Sequence, residues 1–437
     1  MTRRMPAGRR RRPPVAPPLA PPGTTGSGRR RAAARLPAVD GLRAIAVCAV
    51  MCFHFGLGMS GGFLGVDLFF VISGYVITRL LLIEWHRTGT ISWGRFWVRR
   101  ARRLLPAVLV VLVAVQLWLR AGAPPELRTT TNAQTLAALG YVSNWYAIVA
   151  NVGYWGAPID ATPLTHLWSL AVEEQFYLGW PLLLIAVLAV SGSRRALGAV
   201  AGLGAVASYV MVTAFFHAGG PDRAYMGTDT RAGALLLGAL CALGLTRRAP
   251  GQDGSWDRGL PPRLRTAAGV GLVLAATSLA VLWTTVGVHA PAVYEGGLAV
   301  AGVSGALVVA HVVAAPRSMA ARLVGARPVV AIGRISYSLY LWHWPVHIYA
   351  IHRWPGLGDG RSHPPASLVA AEFAITFALA AVSFFLVEGP GRSARRAGAV
   401  AAPLIAGAVL VFGSALWFQP APPVEEQNGV LIHGPAR

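Results

Sequence analysis

The chain contains 437 residues, of which 54% are hydrophobic and 13% are charged, whereas a soluble domain has roughly 25% charged residues. This composition excludes disorder as the main state, and the three cysteines all lie in apolar segments, which excludes a disulfide framework. The formal net charge of +22 would by itself indicate a nucleic-acid partner, but the distribution of the basic residues indicates otherwise.

The first 36 residues contain ten arginines among proline, glycine and alanine, and they lack the apolar core of a signal peptide. This composition predicts a disordered cytoplasmic tail, either solvated or in contact with anionic lipid. The sequence then predicts a membrane domain at 37–392, an additional transmembrane helix at 393–418 and a short extracytoplasmic tail at 419–437.

Apolar runs follow the tail along nearly the whole chain. A transmembrane helix needs about 20 residues, and eleven candidate runs lie at 38–58, 63–83, 104–120, 165–190, 196–217, 231–246, 267–288, 293–314, 328–350, 367–387 and 398–418. The runs at 104–120 and 231–246 are short for a span, so they are either tilted, interfacial or longer than drawn. The fold class predicted is an all-α polytopic membrane protein, a bundle of about 10–11 transmembrane helices.

The arginines predict the orientation of this bundle, because short cytoplasmic loops carry an excess of basic residues. With the N-terminus inside, 29 of the 39 basic residues fall on the cytoplasmic side and six on the opposite side. This distribution predicts a multi-pass protein of the cell (plasma) membrane with a cytoplasmic N-terminus and an extracytoplasmic C-terminus. The lipid bilayer then explains the basic charge, and no nucleic acid is expected as a partner.

The first span carries two ionisable residues, which are expensive inside a membrane and therefore functional candidates. Arg43 and His54 are eleven residues apart, so in a helix both face the same way at a separation of about 16 Å. Such spacing suits an extended donor whose phosphates bind at one end while a base acts at the other. The alternative is an arginine that snorkels to the interface and a histidine bonded to a neighbouring helix.

The long outer loop at 121–163 is rich in aromatic side chains. These side chains are predicted either to stack on sugar rings or to form an interfacial aromatic belt. They are Tyr141, Trp145, Tyr146, Tyr154 and Trp155.

Six short motifs occur in a fixed order along the predicted spans. They are DGLR at 40–43 followed by His54, GVDLFFVISGY at 65–75, RRARRLLP at 99–106, HLWSLAVEEQFY at 166–177, SYSLYLWHWP at 336–345 and EGPGR at 388–392. Together they resemble the acyltransferase-3 family of membrane acyltransferases over about residues 36–392.

The resemblance implies transfer of an acyl group, often acetyl, from a cytoplasmic acyl-CoA to a hydroxyl of an exported or cell-surface carbohydrate or a glycosylated metabolite. It also implies that Arg43 and His54 are essential, with His54 as the general base that takes the hydroxyl proton. Acyl-CoA, most often acetyl-CoA, is then a co-substrate. No permanently bound cofactor and no metal site are expected.

A basic cluster precedes the third span, in a segment predicted to be a cytoplasmic loop. Arginine offers paired donors to phosphate, and the family pattern of two arginines three residues apart fits either Arg99 with Arg102 or Arg100 with Arg103. The resemblance therefore assigns these four residues to binding the phosphates of the acyl donor. Plain anchoring of the bundle by positive charge is the alternative.

Three residues of the fourth span share one helical face, namely His166, Glu173 and Tyr177. A buried carboxylate needs a partner, so Glu173 is predicted either to pair with Arg43, to orient His54, or to form a structural bond between helices. We expect the other two side chains to support the site.

Further charged residues have structural interpretations beside functional ones. Asp67 is predicted to pair with an arginine, and Asp229 to cap the sixth span, at which Arg231 also lies. The resemblance assigns Arg231 only weakly, because Gly233 follows where an acidic residue is common in the family. Glu388 and Arg392 are expected to pair with each other.

His343 stands between two tryptophans and is predicted either to line the outer mouth or to belong to an interfacial anchor. Whether the acyl group first passes to a protein nucleophile is open, with Ser73, Ser169 and Tyr75 as candidates.

Many members of the family continue into an extracytoplasmic hydrolase-like domain, which this sequence does not include after residue 418. Acceptor handling is then expected either within the membrane domain or through a separate extracytoplasmic partner, unless the chain is truncated. The rival function is a membrane transporter or glycan exporter that uses buried Arg, His and Glu for coupling.

Overall fold

The computed structural model describes residues 36–123, 125–155, 161–247, 249, 258–259, 261–354, 365–391, 407, 409 and 413. The following concerns the compact unit that lies within residues 35–437. The predicted N-terminal tail, nearly all of the predicted eleventh span and the predicted C-terminal tail lie outside the described residues.

The described elements are helices. Apart from short 3₁₀ and π-helical turns and the three-residue helix Gly389–Gly391, they are in chain order α1 (Pro37–His54), α2 (Gly65–Thr88), α3 (Trp93–Arg120), α4 (Pro125–Leu139), α5 (Ser143–Val149), α6 (Trp168–Ser191), α7 (Arg194–Met226), α8 (Thr228–Leu245), α9 (Arg265–Thr285), α10 (Leu298–Ala314), α11 (Met319–Val324), α12 (Arg327–Arg353) and α13 (Ala366–Ser383). The predicted all-α class is therefore confirmed.

Nine of the described helices are long and apolar enough to cross a membrane: α1, α2, α3, α6, α7, α8, α9, α10 and α13, several with a short extension. Each overlaps one predicted span. The helix α12 has 27 residues, which is also long enough to cross. It does not belong to the nine because its Arg, His, Ser and Tyr residues lower its mean hydropathy.

Two predictions about the loops are wrong. The helix α3 begins at Trp93 rather than near residue 104, so the arginine cluster lies on its first turns and not in a loop. Arginine is a good helix former, and the amphipathic start of α3 continues without a break into its apolar part. The segment at 121–163, predicted to be an outer loop, is not simply a loop either, because it contains α4 and α5.

Glycines bring the central helices close together. A Cβ atom on Gly74 of α2 would collide with the backbone of Leu235 in α8, and one on Gly333 of α12 would collide with the backbone of Asp40 in α1. Small residues allow membrane helices to approach in this way. The pairs α2 with α8 and α1 with α12 therefore form the tightly packed frame around the site.

A buried ion pair joins α2 to α8. Arg231 Nη2 lies 2.8 Å from Asp67 Oδ2, and both side chains are 1% exposed. The predicted arginine partner of Asp67 is thus found. The N-cap residue of α8 is Gly227 rather than Asp229, but Asp229 Oδ1 accepts from the backbone N–H of Thr230 in the first turn at 2.9 Å. The same carboxylate accepts hydrogen bonds from both terminal nitrogens of Arg223, at 3.0 and 2.6 Å.

Candidate active site

Both candidate residues of α1 contact the same face of α12. Arg43 Nε donates to Ser336 Oγ at 3.2 Å, and His54 Nδ1 lies 3.1 Å from His343 Nε2. Since the two α12 residues are seven positions apart, they lie on one side of that helix, two turns from each other. The prediction that Arg43 and His54 face the same way is confirmed.

A small cavity lies between α1, α2, α6 and α12. It is lined by Arg43, Val66, Phe69, Phe70, Ser169, Leu170, Glu173, Ser336, Tyr337 and Tyr340. The cavity therefore places one cation and one carboxylate in a mostly aromatic and aliphatic surrounding, as expected of a site that takes a ligand with both polar and apolar parts.

Glu173 receives two hydrogen bonds within this site. Its Oε1 accepts from Ser73 Oγ at 2.7 Å, and its Oε2 accepts from Tyr177 Oη at 3.0 Å. The prediction that Glu173 orients His54 is wrong, because the two ring nitrogens of His54 face Tyr154 and His343. Glu173 and Arg43 line the same cavity, but the guanidinium donates to Ser336.

The four arginines at 99–103 in α3 divide into two classes. Arg99 and Arg102 are exposed, whereas Arg100 and Arg103 are half-buried. The guanidinium of Arg100 lies 3.9 Å from the centre of the Tyr177 ring, a cation–π distance. Because Tyr177 is bonded to Glu173, Arg100 is connected to the cavity, and of the two predicted pairs it is Arg100 with Arg103 that faces the bundle.

His54 lies in a set of aromatic and histidine side chains at the other end of α1. Its Nε2 is 3.2 Å from Tyr154 Oη, and its ring centre is 4.6 Å from that of Trp344. Burial raises the pKa of the Tyr154 hydroxyl above its ordinary value, so this hydroxyl is protonated at neutral pH. Because its ring is buried and its hydroxyl contacts His54, Tyr154 is not a free stacking platform.

The loop that carries Tyr154 is held by an aspartate that the sequence analysis missed. Asp222 Oδ1 accepts hydrogen bonds from the backbone N–H of Tyr154 at 2.8 Å and of Trp155 at 3.3 Å. Asp222 follows Gly220, whose φ of 76° breaks α7 just before Pro221. The Gly-Pro-Asp sequence is a turn signal, but nothing in it indicates the partner.

Two more predicted residues adjoin His54. His343 is completely buried rather than at a mouth or an interface, and its Nδ1 lies 2.6 Å from the Tyr340 carbonyl oxygen. His166 is also completely buried, with its ring centre 5.5 Å from that of His343. It does not share a face with Glu173, because it belongs to the 3₁₀ turn before α6.

The candidate nucleophiles have separate surroundings. Ser73 donates to Glu173, and Ser169 Oγ lies 2.5 Å from Tyr340 Oη at the wall of the cavity. Tyr75 is completely buried and is not among the cavity residues. Glu388 accepts a hydrogen bond from Ser338 at 3.1 Å, whereas its predicted partner Arg392 lies outside the described residues.

A family model described as an acyltransferase domain matches residues 36–388. Among curated relatives, the peptidoglycan O-acetyltransferase OatA of Listeria monocytogenes is 35% identical over 363 residues, which cover 82% of this chain and 56% of the relative. The O-acetyltransferase OatA of Staphylococcus aureus is 36% identical over 358 residues, which cover 82% of this chain and 57% of the relative. The chain thus spans little more than half the length of these relatives. No solved structure matches.

Proposed function

We propose that this chain, which belongs to the membrane acyltransferase family whose domain model matches residues 36–388, transfers an acetyl group from acetyl-CoA to a hydroxyl of a cell-wall carbohydrate. The observation that carries this proposal is the placement of Arg43 and His54 on one face of α1, with the cavity beside Arg43 and the aromatic cluster around His54. The name of the Listeria monocytogenes relative, a peptidoglycan O-acetyltransferase, supports a peptidoglycan acceptor.

Arginines at the Arg43 end would bind the donor. Arg100 and Arg103 are half-buried and Arg43 lines the cavity, so their guanidinium groups offer paired donors to the phosphates of CoA. The orientation predicted from the basic loops puts this end at the cytoplasm, where acyl-CoA is available. The pantetheine arm would then extend along α1 towards His54.

The chemistry requires a base near the acceptor hydroxyl. An acceptor hydroxyl that displaced the Tyr154 hydroxyl would lie about 3.2 Å from His54 Nε2, within reach for proton transfer. The hydroxyl oxygen bonds to the thioester carbonyl carbon as its proton passes to Nε2. The C–S bond then breaks, the proton returns from Nε2 to the sulfur, and free CoA and an acetyl ester are formed.

Tyr340 lies between the two halves of this arrangement. Its ring lines the cavity, its hydroxyl donates to the His166 carbonyl at 3.0 Å, and its own carbonyl contacts His343. The donor and acceptor sides thus meet at Tyr340. Family membership and this convergence favour acyl transfer over the transport alternative.

Inverted membrane vesicles test the proposal. Labelled acetyl-CoA is supplied outside vesicles that contain the protein and enclose peptidoglycan fragments. We expect label to appear in the glycan fraction and to be released from it by mild base, as an acetyl ester would be. The amount of free CoA formed should equal the amount of acetyl group transferred. Vesicles without the protein provide the background. Protein that is monodisperse in detergent but gives no transfer from acetyl-CoA to these fragments would contradict the proposal.

The two classes of arginine in α3 provide a second test. We expect Arg100→Ala to raise the KM for acetyl-CoA by about 10-fold or more, because hydrogen bonds to a charged group contribute about 1.5–3 kcal/mol. Arg102→Ala is the matched control, since its side chain is exposed, and should change KM by less than about 3-fold on the scale of surface charges. Equal effects of the two substitutions would show that α3 contributes only general positive charge.

A further inference from the structure

A line of hydrogen bonds runs from the backbone of α12 through His343 and His54 to the hydroxyl of Tyr154. Its members are the Tyr340 carbonyl, His343 Nδ1 at 2.6 Å, His343 Nε2 with His54 Nδ1 at 3.1 Å, and His54 Nε2 with Tyr154 Oη at 3.2 Å. One end of this line is a carbonyl oxygen, which can only accept. The direction of every bond in the line follows from that end.

The proton positions can be assigned one by one. The Tyr340 carbonyl requires a proton on His343 Nδ1, and a neutral imidazole carries only one N–H, so His343 Nε2 is an acceptor. His54 Nδ1 must then carry the proton that it donates to His343. The lone pair of His54 consequently lies on Nε2, where the protonated hydroxyl of Tyr154 donates to it.

We infer that His343 is a positioning residue, which fixes His54 in the tautomer whose unprotonated Nε2 points to the acceptor side. This inference rests on the proposed role of His54 as the base. It adds the contact that keeps His54 Nε2 unprotonated and therefore able to accept a proton. A histidine whose second nitrogen is held by a fixed acceptor keeps one tautomer and one ring orientation. Without His343, the proton of His54 is free to move to Nε2. A protonated Nε2 cannot take the proton of the acceptor hydroxyl, so the hydroxyl is not activated for attack.

The surroundings of His343 keep it in the required state. Its side chain is completely buried, and its ring is flanked by those of His54, His166 and Tyr340, with centres at 5.1, 5.5 and 5.3 Å. Pro345 lies inside α12 and interrupts the regular backbone bonding of this turn. An imidazolium at 343 would have no carboxylate among these ring neighbours, which favours the neutral form.

Two substitutions at 343 separate hydrogen bonding from packing. His343→Gln places a carboxamide oxygen near the position of Nε2, where it can accept from His54 Nδ1, whereas His343→Leu fills a similar volume without an acceptor. In the vesicle assay we expect His343→Leu to lower kcat about 10- to 100-fold, as for other partners that orient a histidine. We expect His343→Gln to retain kcat within about 10-fold of wild type on the same scale, and neither to change the KM for acetyl-CoA appreciably.

Controls distinguish the possible failures. His289→Ala, at an exposed histidine, controls for loss of a histidine as such, and elution as a monodisperse species shows that each variant folds. Wild-type kcat in His343→Leu, or an equal loss in both 343 variants, would overturn the inference. Full activity in His54→Ala, measured in parallel, would instead overturn the proposed function of His54, so the two failures are separate results.

Discussion

Replacement of His54 by alanine is expected to abolish most of the acetyl transfer. General acid–base catalysis contributes on the order of 10²- to 10⁴-fold, and His54 is the residue whose Nε2 faces the proposed acceptor position. The loss should appear in kcat, because the donor phosphates are proposed to bind at the opposite end of α1. The measurement is the initial rate of label transfer in the vesicle assay, at matched amounts of folded protein.

A second substitution at this position shows whether the proton transfer matters. His54→Gln retains a polar side chain for the contacts with Tyr154 and His343, but a carboxamide does not take up a proton near neutral pH. We therefore expect His54→Gln to be as inactive as His54→Ala. A glutamine variant with more than about a tenth of the wild-type kcat, against the expected loss of about 10²-fold, would mean that His54 acts through hydrogen bonding alone.

Removal of Asp67 is expected to have the largest effect on stability. Arg231 and Asp67 are each 1% exposed, so Asp67→Ala leaves a cation buried without its carboxylate. Breaking a buried ion pair in this way typically costs about 3–5 kcal/mol. We expect a clear decrease in the midpoint of thermal unfolding in detergent, together with poor accumulation of the variant in membranes.

The double variant Asp67→Leu/Arg231→Met tests the reason for that loss. Replacing both charges with apolar side chains is often neutral for a buried pair, and Met can fill the space beside the Tyr225 ring, over which the guanidinium lies at 4.7 Å. We expect it to be much more stable than Asp67→Ala. Arg99→Ala is the surface control, since its side chain is 59% exposed and its pair with Glu84 is 3.4 Å long, and it should cost less than about 1 kcal/mol. If Asp67→Ala is as stable as this control, the pair does not hold α2 to α8.

The sequence predicted those features that depend on local pattern. Apolar runs gave nine of the described spans, and the spacing of Arg43 and His54 gave their common direction. The partner of Asp67 was predicted only as some arginine, because the choice of Arg231 depends on the packing of α2 against α8. The start of α3 was misplaced since an arginine-rich turn lowers hydropathy without breaking a helix.

Residue types, order and periodicity thus determined the membrane class, most spans and the two ends of α1 as the place to look for chemistry. The tertiary structure alone decided which side chains meet there: His343, 289 positions from His54, and Tyr154, 100 positions away. It also decided that Arg100 rather than Arg99 stacks on Tyr177. The physical reason is that hydrophobic periodicity specifies which face of a helix is buried, whereas the partner on that face depends on how distant helices pack against it.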